Sequence, residues 1–411
     1  MDLAIQADGK IVVVGSARGR TGPSRFAVAR YLPTGEPDTS FGGDGRVLTA
    51  FTAKRGMVPS FGTAVALLPN GKIVAAGIFR RRRFAVVRYL SDGRLDRSFG
   101  VDGRVTVGFG GTSSGTIRPA SDAYGVAVDP DGRIVAVGLA AMPVTTFSQI
   151  SMAVARLLPD GRVDRSFSGD GRTTTSFGKF SSDGAFALDV AIDRQGRIVA
   201  AGSTSYDSCN EDVAVIRYQP DGPLDRTFSE DGKVITSFAT GPADVELNRS
   251  RANAVALRKD GRILTAGSGL NEACSQVGAE AGTLTRYRAD GRPDAAFGDG
   301  GRAVTVRTTA LDCWCLWNDL AIDADGGLVL TGEARDDQGN ARLAVARTHG
   351  DGTLDPSFGD GGWVLLAPSS AETATGFGVA LQENGRIVVA GTDGSVYAED
   401  GSAFVVARFL P

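Results

Sequence analysis

One unit of about sixty residues recurs along the whole chain of 411 residues, and this repetition limits the possible folds more than any other feature. A repeat that tiles a chain indicates one repetitive architecture rather than several unrelated domains. A glycine turn marks the repeat seven times, at Asp8-Gly9, Asn70-Gly71, Asp131-Gly132, Gln195-Gly196, Asp260-Gly261, Asp325-Gly326 and Asn384-Gly385. A second phrase, with a phenylalanine at its Ser-Phe-Gly position, is complete six times, at Phe41, Phe99, Phe167, Phe228, Phe297 and Phe358.

Each repeat predicts four short strands, which we name a, b, c and d in chain order. Asp-Gly and Asn-Gly between β-branched runs are strong hairpin signals because both central residues need positive φ. A second Asp-Gly turn and an Asp-x-Ser-Phe-Gly corner join strand c to strand d. No helical period interrupts this pattern, so the sequence predicts an all-β fold.

A four-stranded sheet cannot bury both of its faces alone, whereas sheets arranged around an axis bury the faces between neighbours. The sequence therefore predicts a single seven-bladed β-propeller of four-stranded antiparallel blades over residues 1–411. A linear β-solenoid is the structural rival, although its coils are usually much shorter. The predicted repeats are 1–61, 62–120, 121–182, 183–243, 244–309, 310–370 and 371–411.

Strands a, b and c occur seven times, but strand d occurs only six times. The last blade is therefore expected to be three-stranded, or to take its outer strand from a missing terminus. The chain also begins in the middle of a repeat, so we expect its natural ends to lie further out. For that reason the lack of a visible signal peptide is weak evidence for a cytoplasmic protein.

The repeated phrases resemble those of the delta-60-repeat β-propeller family, a bacterial domain of unknown function. The resemblance rests on Asp-Gly-Lys-Ile-Val-Val-Val-Gly at 8–15, Phe-Ala-Val-Ala-Arg-Tyr-Leu-Pro at 26–33, Asp-Thr-Ser-Phe-Gly-Gly-Asp-Gly at 38–45 and their later copies. It implies a propeller and, typically, an exported or cell-surface protein. It supplies no catalytic residues, because none is generally assigned in that family.

Composition limits the partners. A net charge of −3 argues against a general nucleic-acid binder, which would be strongly basic. No apolar run is long enough to insert into a membrane. The sequence predicts a monomer whose partner is a protein or a glycan.

An arginine in strand c is followed in six repeats by an aspartate at the c–d corner. A buried arginine needs such a carboxylate, so the sequence predicts structural ion pairs rather than a ring of anion sites. The pairs are Arg30 with Asp38, Arg88 with Asp96, Arg156 with Asp164, Arg217 with Asp225, Arg286 with Asp294 and Arg347 with Asp355.

Other chemical motifs are better explained by turns and loops. Asp129-Pro130-Asp131-Gly132 and Asp323-Ala324-Asp325-Gly326 are similar to calcium loops but lack further ligands, so calcium is not supported. Ser113, in Gly-x-Ser-x-Gly, lies in a loop between strands rather than at a strand–helix elbow. His349 is the only imidazole and lies in a c–d turn. The sequence predicts no cofactor, no metal site and no catalytic residues.

Strand polarity places the uniform a–b and c–d turns at one face and the variable b–c and d–a loops at the other. Variable loops on a rigid framework usually carry binding, so ligand contacts are expected there. The candidates are Arg80, Arg81, Arg82, Arg83, Trp314 and Trp317. An exposed tryptophan would suit a sugar or protein contact, while a tryptophan that plugs the axial channel is an equal alternative.

All four cysteines fall in these variable loops, namely Cys209, Cys274, Cys313 and Cys315. Their clustering favours disulfides in an oxidising compartment, with Cys209–Cys274 as one pairing. Free thiols and a four-thiolate zinc site are the alternatives, and Cys-x-Cys lacks the usual zinc spacer.

The function expected from the sequence is a non-enzymatic, extracellular or cell-surface binding and structural scaffold. The alternative is a carbohydrate-active or lactone-type enzyme with a carboxylate site at the axial channel. Asp122, Asp189 and Asp319 are the residues that would have to converge there.

Overall fold

The computed structural model describes residues 1–18, 22–53, 56–80, 83–110, 119–144, 147–178, 184–205, 210–239, 247–271, 280–307, 314–367, 373–394 and 403–410. The regular structure of these residues is entirely β, with no helix. In particular, they include no apolar helix of the length that a bilayer crossing requires. The all-β prediction is therefore confirmed.

The strands follow the predicted order a, b, c and d along the chain. The strands of the first three repeats are β1 (Asp2–Ile5), β2 (Ile11–Ala17), β3 (Arg25–Tyr31), β4 (Arg46–Thr49), β5 (Phe51–Ala53), β6 (Gly56–Val58), β7 (Ser60–Leu67), β8 (Ile73–Phe79), β9 (Arg83–Tyr89), β10 (Arg104–Val107), β11 (Ala120–Val128), β12 (Ile134–Val144), β13 (Phe147–Leu157) and β14 (Arg172–Thr175). Of these, β5 and β6 form an added hairpin after strand d of the first repeat. Those of the fourth repeat are β15 (Gly184–Ile192), β16 (Ile198–Ser205), β17 (Glu211–Tyr218) and β18 (Lys233–Thr236).

The last three repeats continue the same order. Their strands are β19 (Arg249–Leu257), β20 (Ile263–Leu270), β21 (Glu280–Tyr287), β22 (Arg302–Thr305), β23 (Cys315–Ile322), β24 (Leu328–Arg335), β25 (Ala341–Thr348), β26 (Trp363–Leu366), β27 (Ala374–Leu381), β28 (Ile387–Asp393) and β29 (Ala403–Phe409). The seventh repeat has these three strands among its described residues, in the order β27-β28-β29.

Neighbouring strands within a repeat are antiparallel, as the glycine turns require. The first, second and sixth repeats form separate four-stranded sheets of the order a-b-c-d. Strand d is short and pairs with the middle of strand c; in the first repeat Phe26 faces Thr49 and Ala29 faces Arg46. One copy of the repeated phrase therefore forms one four-stranded sheet.

The chain divides into two compact units, one of Met1–Ala200 with Tyr218–Pro223 and one of Ala201–Arg217 with Leu224–Pro411. In the first unit, the a strands β1, β7, β11 and β15 of successive repeats pack side by side. In the second unit, β19, β23 and β27 do the same.

The apolar core of each unit lies between neighbouring sheets rather than within one sheet. One cluster of the first unit joins Val74 and Phe84 of the second repeat to Ala136 and Ala153 of the third. A cluster of the second unit joins Leu264 of the fifth repeat to Leu330 of the sixth. This packing is why a single repeat needs its neighbours.

Candidate functional site

The arginine of strand c contacts the corner aspartate of its own repeat in all six predicted pairs. Arginine Nε lies 2.7 or 2.8 Å from aspartate Oδ2 in each. In the first five pairs both side chains are buried, to the point that Asp225 has no exposed surface. The structure thus brings together Arg30 and Asp38, Arg88 and Asp96, Arg156 and Asp164, Arg217 and Asp225, Arg286 and Asp294, and Arg347 and Asp355.

Five of the six pairs are supported from two further sides. In five repeats the second aspartate oxygen accepts a hydroxyl hydrogen bond from the residue two positions later, as Ser40 donates to Asp38 over 2.6 Å. The guanidinium also lies over the corner phenylalanine, with Arg30 Cζ 4.7 Å from the centroid of the Phe41 ring. This cation–π contact recurs at Phe99, Phe167, Phe228, Phe297 and Phe358.

The same arginine reaches the next repeat along the chain, an arrangement that we call the arginine clasp. Arg217 Nη1 donates to the carbonyl of Ala289 over 2.6 Å. The corresponding contacts are Arg30 to Ser91, Arg88 to Pro159, Arg156 to Pro220 and Arg286 to Gly350. A buried guanidinium with carboxylate, ring and carbonyl partners holds two repeats in register, so its role is structural.

A backbone hydrogen bond accompanies each clasp. The residue after the corner phenylalanine donates its N–H to a turn carbonyl of the next repeat, as Gly42 does to Asp92 over 3.0 Å. Glycine is required in that turn, since Gly93 has φ of +89° and an added Cβ would lie 3.0 Å from the Phe41 ring. The repeated Asp-Gly of the c–d turn therefore serves packing between repeats as well as chain reversal.

The carboxylates of the arginine–aspartate pairs are held ionised. Burial alone would raise the pKa of Asp38, but hydrogen bonds from Ser40 and the charge of Arg30 bring that pKa below its usual value. The hydrogen bond from Ser357 is the main cause that lowers the pKa of Asp355 to about 2. An aspartate with a lowered folded-state pKa stabilises the fold above about pH 4, and that contribution is lost as the pH falls through the folded pKa.

The a strands carry a second connection between repeats, which the sequence reading missed. Five of them are interrupted by a one-residue irregularity in their pairing with strand b, at Thr63, Tyr124, Asn253, Asn318 and Phe377. Asn318 Nδ2 donates to the carbonyl of Gly376 in the next repeat over 2.8 Å, and Asn253 reaches Trp317 in the same way over 2.7 Å. The extra residue of such a β-bulge points its side chain away from the regular pairing, here toward the next repeat.

The residue after this position is an aspartate in the sixth repeat, where it bridges two strands. Asp319 Oδ1 accepts the N–H of Leu320 over 2.8 Å, and its Oδ2 accepts the N–H of Val379 over 2.7 Å. Asp2 makes the equivalent contacts with Leu3 and Val65 over 2.7 Å each. Burial raises the pKa of Asp2 to about 6, against the lowering effect of those N–H groups.

A signal in the sequence could have identified these aspartates. Asp2, Asp189 and Asp319 all lie seven residues before the glycine of their a–b turn. Asp189 also accepts the N–H of the following residue, over 2.7 Å. Asp122 lies at a different position, half-buried on β11. Among the described residues, no three His, Cys, Asp or Glu side chains form a group that could hold a metal ion.

A family comparison agrees with the repeat and its geometry. A family model described as "Domain of unknown function (DUF5122) beta-propeller" matches residues 6–41, 68–99, 130–167, 196–228, 324–358 and 382–411. The chain belongs to a β-propeller repeat family. Each matched segment except the last runs from an a–b turn to a corner phenylalanine, which are the parts that build the sheet and the clasp.

Solved structures align with this chain at low identity. The polysaccharide lyase Uly1 aligns with a TM-score of 0.51 and 10% identity, covering 99% of this chain and 88% of its own. A gluconolactonase from Xanthomonas campestris aligns with a TM-score of 0.39 and 14% identity, covering 91% and 93%. A protein of unknown function from Dyadobacter fermentans aligns with a TM-score of 0.43 and 10% identity, covering 99% and 92%. No curated protein matches the chain.

The loop-face candidates of the propeller differ in their accessibility. Arg80 is an exposed turn residue with φ of +56°, and Arg83 is exposed at the start of β9. Trp314 is half-buried, and the exposed guanidinium of Arg335 lies 4.9 Å from its ring centroid. Arg81 and Arg82 lie outside the described residues.

Trp317 is not available to a ligand, so its prediction as a binding residue is wrong. Its side chain is fully buried and stacks on Trp363 with 4.9 Å between ring centroids. Its Nε1 donates to Thr305 Oγ1 over 2.7 Å. Successive side chains of strand a point to opposite faces of their sheet. This alternation directs the indole into the space between the sheets of the fifth and sixth repeats.

The prediction of Cys315 as a disulfide candidate is also wrong. Cys315 is a buried thiol whose Sγ donates to the carbonyl of Thr305 over 3.1 Å and accepts the N–H of Gly282 over 3.2 Å. It lies on β23 and faces the neighbouring sheet instead of the loops. Cys209, Cys274 and Cys313 lie outside the described residues.

The turn motifs act as turns. Asp129 Oδ1 accepts the N–H of Arg133 over 2.8 Å, and Asp323 Oδ1 accepts the N–H groups of Asp325 and Gly327. The N–H of His349 donates to Thr353 within the c–d turn of its repeat. Ser113 lies outside the described residues.

Proposed function

We propose that this protein is a non-enzymatic binding and structural scaffold that presents its variable loops to a glycan. The proposal includes a closed ring of seven blades, one for each repeat, of the delta-60-repeat type. It also includes export to the outside or the surface of the cell, which rests on the resemblance of the repeated phrases alone. The arginine clasp carries the proposal, because it commits the repeated charged residues to holding neighbouring repeats together.

The carboxylates that an enzyme would need support the same proposal. Both oxygens of Asp319 accept backbone N–H groups, and one of them fixes the next a strand. A general acid or base must instead present an oxygen to the substrate. We therefore place Asp319 in the framework, and with it the equivalent residue Asp189.

The loop face offers the contacts that a glycan would use. Arg335 lies exposed over Trp314, so a polar fork and an aromatic surface occur together. Such amphipathic surfaces suit ligands with apolar C–H faces and many hydroxyl groups. Uly1, whose fold is similar, is a polysaccharide lyase, and extending a polysaccharide ligand to this chain is part of the proposal.

Affinity electrophoresis in gels that contain single neutral or acidic polysaccharides tests the proposal. We expect at least one polysaccharide to retard the protein through the loop face, so that Trp314→Ala and Arg335→Gln weaken the retardation by that polysaccharide at least about tenfold. Arg288→Gln, an exposed arginine of a c–d turn, is the matched control and should bind as the wild type does.

Product analysis separates a scaffold from an enzyme. The retained polysaccharide should keep its chain length and gain no reducing ends or unsaturated uronates during incubation with the protein. Cleavage that disappears in Asp319→Asn would favour the enzyme alternative and contradict the proposal. Retardation by no polysaccharide would contradict it as well.

A further inference from the structure

A groove with an excess of arginine lies between the c–d turns and outer strands of the first three repeats. Its first part, of about 970 Å³, lies between the first and second repeats. Its second part, of about 990 Å³, lies between the second and third repeats and is also lined by Ala50, Phe51 and Thr52, which follow strand d of the first repeat. Arg104 lines both parts and joins them. We call this surface the arginine groove; its arginines are Arg46, Arg94, Arg97, Arg104, Arg162 and Arg165.

The charges of these arginines are largely uncompensated. Arg46, Arg97 and Arg165 have no ion pair with any residue in the described ranges. Arg94 and Arg162 pair with the exposed Asp92 and Asp160 through Nε, which leaves their outer nitrogens for a ligand. Of the groove's two lining carboxylates, Asp96 is already held by Arg88 at 2.7 Å and by Lys72 at 2.9 Å.

Arg104, at the centre of the groove, is only partly satisfied. Its Nη1 donates to the carbonyl of Asp102 over 3.0 Å, while its buried Nε has no hydrogen-bond partner among the described residues. Buried donors are normally paired, so an unpaired guanidinium nitrogen marks a place where an acceptor would be favourable. An anionic oxygen in the groove would meet this requirement.

Comparison between repeats shows that the fold does not need the exposed groove arginines. The position of Arg97 and Arg165 is occupied by Ala295 in the fifth repeat and by Pro356 in the sixth. The position of Arg94 and Arg162 is occupied by Pro223 in the fourth repeat and by Thr353 in the sixth. The ion pairs Arg286–Asp294 and Arg347–Asp355 form regardless. A structural role therefore does not explain why arginines are concentrated in the second and third repeats.

We propose that the arginine groove binds an acidic polysaccharide whose uronate carboxylates engage these guanidinium groups. The planar fork of arginine fits a carboxylate with two parallel hydrogen bonds. Aliphatic side chains such as Val101, which is 78% exposed, and the partly buried Val105 and Val163 line the groove and suit the C–H faces of sugar rings.

The lining also favours a glycan over a nucleic acid. Single-stranded nucleic acids are usually bound by exposed aromatic side chains on which the bases stack. Among the described residues that line the groove, the only aromatic one is Phe51, which is buried and packs against Phe26 and Phe79. The open shape and the two joined parts favour an extended chain over a small enclosed ligand.

Titration of the whole protein with polygalacturonate at low and moderate ionic strength tests this site. We expect saturable binding that weakens with added salt, since charge pairs at a surface are screened. Arg97→Ala with Arg165→Ala should lower the affinity at least about tenfold. The control, Arg226→Ala with Arg292→Ala, removes two arginines that do not line the groove, one at the repeat position of Arg97 and Arg165 and one at that of Arg94 and Arg162, and should bind within about twofold of the wild type.

The comparison probes are dextran, dextran sulfate and a single-stranded oligonucleotide. Dextran should not bind, and the two other polyanions should bind more weakly than polygalacturonate. No binding of polygalacturonate, an equal loss in both double variants, or tighter binding of either other polyanion would overturn the inference. Loop-face variants such as Trp314→Ala should leave this binding intact, so the outcome is separate from that of the proposed function.

Discussion

At the scale of single residues, the arginine of strand c does three things at once. It neutralises a buried aspartate, covers the corner phenylalanine and donates to the carbonyl of the next repeat. A lysine could not do the same, because its ammonium lacks the planar fork that points in several directions. This combination explains why one residue type recurs at one position through a chain whose loops differ so much.

The buried pair of Arg217 and Asp225 gives the sharpest test of the clasp. We expect Asp225→Asn to lower the free energy of unfolding by about 3–5 kcal/mol, because it leaves a buried guanidinium without its counter-charge. Denaturant titration followed by tryptophan fluorescence measures this change. The control is Asp92→Asn, an exposed turn carboxylate, which should cost less than about 1 kcal/mol. Equal effects of the two substitutions would show that the clasp is not a main source of stability.

The pairs could be predicted from the sequence, whereas the onward contact could not. Asp38 follows Arg30 at a fixed distance through a turn, so local spacing identifies the two as partners. The carbonyl of Ser91 belongs to the next repeat, and a backbone oxygen leaves no trace in the residue pattern. The predictions of Trp317 as a binding residue and of Cys315 as a disulfide candidate are wrong for a related reason. Their positions in the chain indicate a loop, but both residues lie on a strand where the alternation of side chains buries them.

At the scale of elements, strand b contains a glycine at the point where the pairing of strand a with strand b is interrupted by one residue. The interruption makes this glycine necessary. In the sixth repeat, an added Cβ on Gly332 would lie 1.9 Å from the carbonyl oxygen of Leu316. An added Cβ on Gly138 would lie equally close to the carbonyl oxygen of Asp122, and one on Gly267 equally close to that of Arg251. The sequence shows this glycine in every repeat, but the pairing with strand a was needed to reveal its cause.

Gly332→Ala should therefore destabilise the protein by about 3 kcal/mol, because a backbone carbonyl cannot move aside without breaking the a–b pairing. Gly350→Ala is the control, since the nearest atom to its added Cβ lies 3.3 Å away and its φ is not positive. Thermal unfolding followed by circular dichroism compares the two variants. A melting temperature of Gly332→Ala as high as that of Gly350→Ala would disprove this account of strand b.

At the scale of the whole molecule, we propose that the seven repeats form one closed ring on which the loops are displayed. Four-stranded sheets and the packing of neighbours follow from the repeated phrase, and so they could be predicted. Closure depends on how much each repeat turns relative to the previous one, and the contacts that set this turn, such as Asn318 to Gly376, have no signature in a single repeat. The arginine groove likewise depends on divergence between repeats rather than on the motif.

The distance between the first and seventh repeats tests this claim most directly. Spin labels at Ala7 and Glu383, two exposed residues of equivalent a–b turns, would be measured by double electron–electron resonance with Cys209, Cys274 and Cys313 replaced by serine. Labels at Ala7 and Pro69, in the turns of the adjacent first and second repeats, provide the reference distance. A closed ring predicts that the Ala7–Glu383 distance equals the reference within the width of the distributions. A distance several times longer, as in a linear stack of repeats, would contradict it.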